Sequence, residues 1–268
     1  MKKAASFALG CKVNQYESEA IAELFAEKGY EIVGIDEEAD VYVINTCTVT
    51  NFGDKKSRQL IRKVKRQNEN AIVAVVGCYA QTAPKELMEI AGVNLVIGTK
   101  DRAQIVEMVE QYDRANGVEN HVSDIMKERV FEPLSIQKLA NRTRAYLKIQ
   151  DGCSQYCSYC IIPYARGPIR SREPQEVVAE VKRLAENGFK EVVLTGGELE
   201  ILKQVHEVEG IERIRFSSIE PNVVTEEFAQ TMAALPKVCD HFHLSLQSGC
   251  DKTLKEMNRK YDTEKYRQ

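Results

Sequence analysis

No stretch of the 268-residue sequence is apolar for long enough to span a bilayer, which takes about 20 residues, so no membrane partner is expected. Nor is a secretory leader expected. Lys2 and Lys3 precede an apolar run over residues 4–9, but that run is too short for the core of a signal peptide. It reads as a buried strand, and the chain as cytoplasmic. Excess charge of either sign is lacking. With 37 Lys+Arg against 40 Asp+Glu the net charge is −3, so the chain as a whole is no basic nucleic-acid binder, and any such contact must come from local patches. No internal repeat or low-complexity tract is present, and tryptophan is absent, which by itself excludes no function.

What is there suits a globular protein. Hydrophobic residues make up 43% and charged residues 29%, enough for a real core and a length for two ordinary domains. The eight cysteines are Cys11, Cys47, Cys78, Cys153, Cys157, Cys160, Cys239 and Cys250. In a reducing compartment such a set points to metal or redox work rather than to disulfides.

Residues 1–114 alternate strand and helix. Strands are predicted at 4–9, 31–35, 41–45, 71–76 and 94–97, with helices at about 54–68, 83–91 and 101–113. A first helix places Tyr16, Ala20, Ile21, Leu24 and Phe25 on one face and ends at Gly29. Continuous apolar strands separated by helices predict an α/β fold, a Rossmann-like parallel sheet covered on both faces. The rhythm lapses over 115–141, which reads as a linker carrying Asn116-Gly117, His121 and Pro133. It resumes over 142–268 with strands at 145–149, 191–195, 213–217 and 241–246. Pro174, Thr225 and Asp251 open helices there. Four such units are too few for an eight-stranded barrel, so a partial (βα) barrel and a piece of a longer protein are expected.

Cys153, Cys157 and Cys160 lie in the loop after the strand at 145–149, at the carboxyl end where α/β sites gather. Three thiolates at this spacing can bind three irons of a [4Fe–4S] cluster, whose usual complement is four. The fourth iron keeps an open position, which S-adenosylmethionine can chelate through its amino and carboxylate groups. One electron from the cluster then cleaves a C–S bond and releases a 5′-deoxyadenosyl radical, chemistry that belongs to the cofactors. Structural zinc would want four ligands, commonly in C-x2-C pairs, and no second pair or histidine lies nearby.

Cys11, Cys47 and Cys78 are far apart in sequence, yet each directly follows a predicted strand. The carboxyl ends of parallel strands share one edge, so these three thiols converge in space. Gly10 and Gly77 let the backbone approach a bulky ligand. A second cluster with an open iron is one reading, and three small core residues the other.

Six segments together resemble the methylthiotransferases, a radical S-adenosylmethionine family. They are Gly10-Cys11-Lys12-Val13-Asn14-Gln15-Tyr16-Glu17-Ser18, Asn45-Thr46-Cys47-Thr48-Val49-Thr50, Gly77-Cys78-Tyr79-Ala80-Gln81, the stretch 152–172, and Ser217-Ser218-Ile219-Glu220-Pro221 with Leu246-Gln247-Ser248-Gly249. Lys12-Val13-Asn14 and Tyr164-Ala165-Arg166-Gly167-Pro168 look most like the branch acting on N6-threonylcarbamoyladenosine beside the tRNA anticodon. The resemblance implies two [4Fe–4S] clusters and S-adenosylmethionine as cofactors. Cys153, Cys157 and Cys160 would hold the cluster that makes the radical, and Cys11, Cys47 and Cys78 the auxiliary cluster that carries the sulfur. At Tyr159, the aromatic position between the last two cysteines, the backbone would meet the adenine of the cofactor; Gly196, Ser218 and Glu220 would line its pocket or serve only as a turn glycine and helix-capping residues. The implied partners are tRNA, an electron donor protein and a sulfur source. Alternatives are the same chemistry on isopentenyladenosine or on a ribosomal-protein aspartate, and a zinc-bound RNA-binding protein without catalysis.

The chain departs from the family pattern after Thr195-Gly196, where a segment is short, and the family's C-terminal β-barrel is not expected within these residues. Lys55, Lys56, Arg58, Arg62, Lys63, Lys65 and Arg66 crowd one helix, which reads equally as a solvated face or as a track for phosphates. Arg166, Arg170 and Arg172 are candidates for gripping a carboxylate. His241 and His243 read as core histidines, and Cys239 and Cys250 as structural thiols.

Overall fold

The computed structural model describes residues 1–48, 51–136 and 144–268, with the backbone alone for 51–54. Val49 and Thr50 of the expected cysteine motif lie outside the described residues, as do 137–143, where the expected linker ends and the second domain begins. The chain divides into two compact units. The first is Met1–Ile136 together with Ile161–Pro168; the second takes the rest.

The first unit is built on strands β1 (Lys3–Ala8), β2 (Glu31–Ile32), β3 (Val41–Thr46), β4 (Ile72–Gly77), β5 (Leu95–Val96) and β6 (Glu119–Asn120). They form one parallel sheet in the order β2-β1-β3-β4-β5-β6. Every residue of β3 is buried, as continuous Val and Ile runs require in a sheet covered on both faces. The helices are α1 (Lys12–Glu27), α2 (Asn51–Gln67), α3 (Cys78–Thr82), α4 (Pro84–Met88), α5 (Ile105–Gln111) and α6 (Ile162–Arg166). Tyr16, Ala20, Ile21 and Phe25 of α1 are buried as their spacing predicts, and Ile61 and Val64 do the same for α2.

The expected strand 31–35 is cut to two residues, and the expected helix 83–91 to Pro84–Met88. Residues 115–136, read as linker, lie in the first unit and supply β6. A two-residue strand carries no periodicity to read. Ile161–Pro168 also belongs to the first unit: the Thr99 hydroxyl donates to the Ala165 carbonyl at 2.6 Å. Gly167, at φ +73°, passes so close to Ile125 that a Cβ would stand 2.4 Å from its carbonyl oxygen.

The second unit contains β7 (Arg144–Lys148), β8 (Gln150–Asp151), β9 (Arg170–Ser171), β10 (Glu191–Thr195), β11 (Arg213–Phe216), β12 (Ser218–Ile219) and β13 (His243–Leu244). A parallel sheet runs in the order β11-β10-β7, β12 pairs parallel with β13, and β8 pairs antiparallel with β9. Its helices are α7 (Pro174–Glu186), α8 (Leu199–His206), α9 (Glu226–Ala234), α10 (Asp251–Glu256) and α11 (Thr263–Arg267). Thr225 caps α9 as expected, accepting from the Phe228 amide at 3.1 Å. The expected strand at 241–246 shrinks to β13, and His241 and His243 are exposed rather than core residues. Among the described residues no helix is long and apolar enough to cross a membrane.

Candidate metal centres

In the first unit the ends of β1, β3 and β4 lie side by side, with Ala8 opposite Asn45 and Thr46 opposite Gly77. Cys47 and Cys78 therefore leave the sheet at neighbouring points, and Cys11 opens α1 just beyond β1. Gly10 (φ +105°) lies against Cys47, where a Cβ would stand 2.6 Å from the Cys47 sulfur. Gly77 (φ +94°) turns the chain from β4 straight into α3, with no room for a Cβ beside Asn45 and the Thr46 carbonyl. Asn14, fully buried, ties these strand ends together. Its amide donates to the Leu9 and Thr46 carbonyls at 2.9 Å each, and its oxygen accepts from the Cys11 thiol at 3.4 Å.

Burial pushes the Cys78 thiol up to about 11; Arg166 opposes the rise, and Glu17, Cys11 and Cys47 add to it. All three thiols and the Arg166–Glu17 ion pair thus act on one place. Arg166 donates from Nη1 to Glu17 Oε1 at 2.9 Å and from Nη2 to Asn14 Oδ1 at 2.8 Å. Arg102 continues the row, with Nη1 at 2.7 Å from Glu17 Oε2 and Nη2 at 2.6 Å from Glu132 Oε2. Positive and negative groups alternate through the row Arg166–Glu17–Arg102–Glu132, buried but for the half-buried Glu132, and its Arg166 end acts on Cys78. Three thiols at a glycine-lined edge beside a buried cation fit a group held by thiolates.

In the second unit Cys153, Cys157 and Cys160 follow β8. Burial raises the Cys153 thiol above its usual range, and Cys160, Cys157 and Glu220 raise it further. The Cys160 amide donates to the Cys157 carbonyl at 2.9 Å, which closes the loop into a turn. Tyr156 adopts φ +50°, and its carbonyl accepts from Asn258 Nδ2 at 2.8 Å. Arg259 is the residue that sequence reasoning missed. Its Nη1 donates to the Cys157 sulfur at 3.2 Å and to both Glu220 oxygens at 3.1 and 3.0 Å, and its guanidinium stacks on the Tyr261 ring at 5.4 Å. It sits 102 positions from Cys157, and no local spacing signals such a pairing.

Of the expected pocket residues, Glu220 and Tyr159 share the neighbourhood of these cysteines. Glu220 acts on Cys153, and the Tyr159 hydroxyl, raised first by burial, feels Arg259, Cys157 and Cys160. Ser218 Oγ pairs with His243 Nδ1 at 2.9 Å. Gly196 (φ +151°) is pressed against Ile149 and Gln150, and Glu198 accepts from Gln150 Nε2 at 2.7 Å.

The three arginines expected to grip a carboxylate are committed internally: Arg166 as above, Arg170 to Asp151 at 3.6 Å, and Arg172 to Glu180 at 2.5 Å. All three are buried, so they satisfy this chain's own carboxylates. Cys250 is exposed rather than structural, and backbone N–H groups at the start of α10, that of Thr253 foremost, lower its thiol. Among the described residues no three His, Cys, Asp or Glu side chains gather around a single-ion position. An iron–sulfur cube holds its thiolates at separate corners, farther apart than the ligands of one ion.

Residues 3–98 match the family described as "Uncharacterized protein family UPF0004", and residues 147–268 match the radical SAM superfamily. Membership of that superfamily implies S-adenosylmethionine and a [4Fe–4S] cluster. The chain is 48% identical to the threonylcarbamoyladenosine tRNA methylthiotransferase MtaB of Bacillus subtilis, over 98% of this chain and 62% of that protein. To the MtaB of Aquifex aeolicus it is 40% identical, over 98% of this chain and 67% of that protein. The chain belongs to the radical SAM methylthiotransferase family. It spans about three fifths to two thirds of the length of these relatives. Another family member, the tRNA-2-methylthio-N(6)-dimethylallyladenosine synthase of Akkermansia muciniphila, is 35% identical over 96% of this chain and 64% of its own length. The fold is also that of the radical S-adenosylmethionine methyltransferase TsrM from Kitasatospora setae, with TM-score 0.64 and 16% identity over 99% of this chain and 64% of TsrM.

Proposed function

We propose that this methylthiotransferase-family chain is the larger part of an enzyme that adds a methylthio group to C2 of N6-threonylcarbamoyladenosine in tRNA. The observation that carries the reading is the pair of three-thiol groups, one in each unit: the first at the ends of the parallel strands β1, β3 and β4, the second in the single loop that follows β7 and β8. A sulfur-inserting radical enzyme needs two such groups, one for each cluster. The choice of nucleoside follows the names of the relatives at 48% and 40% identity.

In this reading Cys153, Cys157 and Cys160 hold the [4Fe–4S] cluster with its fourth iron open, and Cys11, Cys47 and Cys78 hold an auxiliary [4Fe–4S] cluster. S-adenosylmethionine on the first cluster supplies radical chemistry when bound. The chain's own residues position and shield. Arg259 steadies the Cys157 sulfur and fixes Glu220 beside it. Tyr159, 53% exposed between the last two thiols, offers a flat surface to an adenine. Gly196 and Ser218 complete the proposed cofactor pocket. Arg166 offsets negative charge at Cys78. An electron donor protein and a sulfur source complete the partners.

Nucleoside mass spectrometry of tRNA from cells lacking the gene tests the reading. Methylthio-threonylcarbamoyladenosine is expected to vanish while its unthiolated precursor accumulates. Loss of methylthio-isopentenyladenosine instead would move the chain to the branch of the Akkermansia relative. An unchanged nucleoside profile would overturn the tRNA reading.

A further inference from the structure

We propose that the groove between β1 and α2 is a track for a single RNA strand, with Phe7 as a base-stacking platform. This rests on the tRNA reading above and adds to it a specific surface of the first unit.

The groove follows from topology. The chain goes from β1 to β2 through α1, then back past β1 to β3. Crossovers between parallel strands are right-handed, so the return from β2 to β3 must pass over the opposite face of β1. In most α/β sheets a helix makes that passage. Here the connecting residues 33–40 contain no helix. Alternation along β1 puts Ala5, Phe7 and Leu9 on that face. Ala5 is buried, but Phe7 remains 37% exposed.

The opposite wall is α2, whose exposed side carries Lys55, Lys56, Arg62, Lys63 and Arg66 beside buried Ile61 and Val64. The groove, about 570 Å³, is lined by Phe7, Leu9, Lys56, Arg62, Lys63 and Arg66, with Gln59 and Leu60 between them. Lys63 is paired with Asp36. Lys56, Arg62 and Arg66 spread along about 15 Å of helix at 1.5 Å per residue, a spacing suited to successive phosphates of an extended strand.

A row of cations beside an exposed aromatic ring is how sequence-tolerant single-strand sites are built: the cations follow the backbone and a base stacks on the ring. An acidic protein would answer the cations alone, whereas a nucleic-acid strand offers both phosphates for the cations and bases for the exposed ring. The groove also leads to the candidate centre. Leu9 is followed directly by Gly10 and Cys11, and α2 begins just after Cys47. A strand lying in it therefore passes the edge where Cys11, Cys47 and Cys78 meet.

Fluorescence anisotropy with a labelled RNA hairpin carrying an adenosine-containing loop tests the groove, using the full chain between ~50 and ~200 mM salt. The charge variant K56Q/R62Q/R66Q is expected to bind more weakly and to flatten the salt dependence by about 2 log units per log unit of salt, at about 0.7 for each single-strand phosphate that is no longer neutralised. Phe7→Ala is expected to weaken binding about tenfold at every salt concentration without changing the slope. The control K28Q/K85Q/K252Q alters three exposed lysines elsewhere and is expected to leave affinity and slope in place. Circular dichroism of each variant confirms folding. Unchanged RNA binding in the charge variant overturns the groove, as does an equal loss in the control. So does a charge variant that loses binding to an acidic redox protein while keeping RNA. None of these outcomes touches the nucleoside assay, so failure of the groove and failure of the tRNA reading are told apart.

Discussion

Arg166 and Glu17 illustrate how a buried ion pair constrains its substitutions. Glu17 is wholly buried and lies between Arg166 and Arg102. Removing one guanidinium leaves a carboxylate underneutralised inside the first unit, a defect that typically costs about 3–5 kcal/mol. Arg166→Met should therefore lower the urea midpoint of unfolding strongly. Arg166→Lys keeps the charge but loses the two-pronged hold on Glu17 and Asn14, and should recover part of the loss. If the two variants unfold alike, charge is not what matters at this position. A second residue-scale effect concerns acid stability. Glu128 lies 2.6 Å from Lys100 Nζ and accepts from the Arg129 and Val130 amides. The bond from Lys100, seconded by that from the Val130 amide, holds its carboxyl at about 2, down from 4.5. A carboxyl depressed by folding stabilises above its unfolded value and loses that contribution as pH falls through the folded one. Glu128→Gln should thus flatten the loss of stability between pH 4.5 and about 2, followed by thermal unfolding across that range.

At the scale of the elements, the junction of β4 with α3 decides where Cys78 stands. Gly77 has φ +94°, and a Cβ there would lie 2.3 Å from Asn45 Oδ1 and 2.7 Å from the Thr46 carbonyl oxygen. The second contact is with backbone and cannot rotate away. Strain and overlap together should make Gly77→Ala cost about 2–6 kcal/mol, and the moved Cys78 should lower the iron content of the first unit. Denaturant titration and iron analysis read the two effects separately, and an alanine variant with full stability and full iron would refute the close-packing argument. That glycine was legible in the sequence because a strand run, a glycine and a cysteine followed one another. So were β1, β3, β4, α1, α2 and α7, whose apolar positions repeat over enough residues to show a period. The two-residue strands β2, β5 and β13 were legible only as longer apolar runs, and β6, in a stretch that reads as linker, was not, because tertiary pairing alone creates it. The same limit applied at the sites. Cysteines after strands could be read from order alone, whereas Arg259 reaches Cys157 across 102 positions. The arginines of 166–172 looked like ligand clamps because their carboxylate partners Glu17, Asp151 and Glu180 cannot be paired with them before the fold is known.

At the scale of the whole molecule, each three-thiol group lies within a single compact unit. Neither group borrows a cysteine from the other, so each should fill with iron on its own. A cubic cluster carries four irons, so the anaerobically reconstituted chain should hold about eight, and the triple variants C11A/C47A/C78A and C153A/C157A/C160A about four each. The two remaining clusters should also differ in behaviour. S-adenosylmethionine should perturb the electron paramagnetic resonance spectrum of the reduced variant that keeps Cys153, Cys157 and Cys160. It should leave unchanged the spectrum of the variant that keeps Cys11, Cys47 and Cys78 under the same single addition. Iron that falls to zero in either triple variant would mean that the groups form one shared site. A colourless wild-type chain loaded with zinc would remove the radical reading altogether, because zinc undergoes no redox change and cannot supply the electron that cleaves a C–S bond.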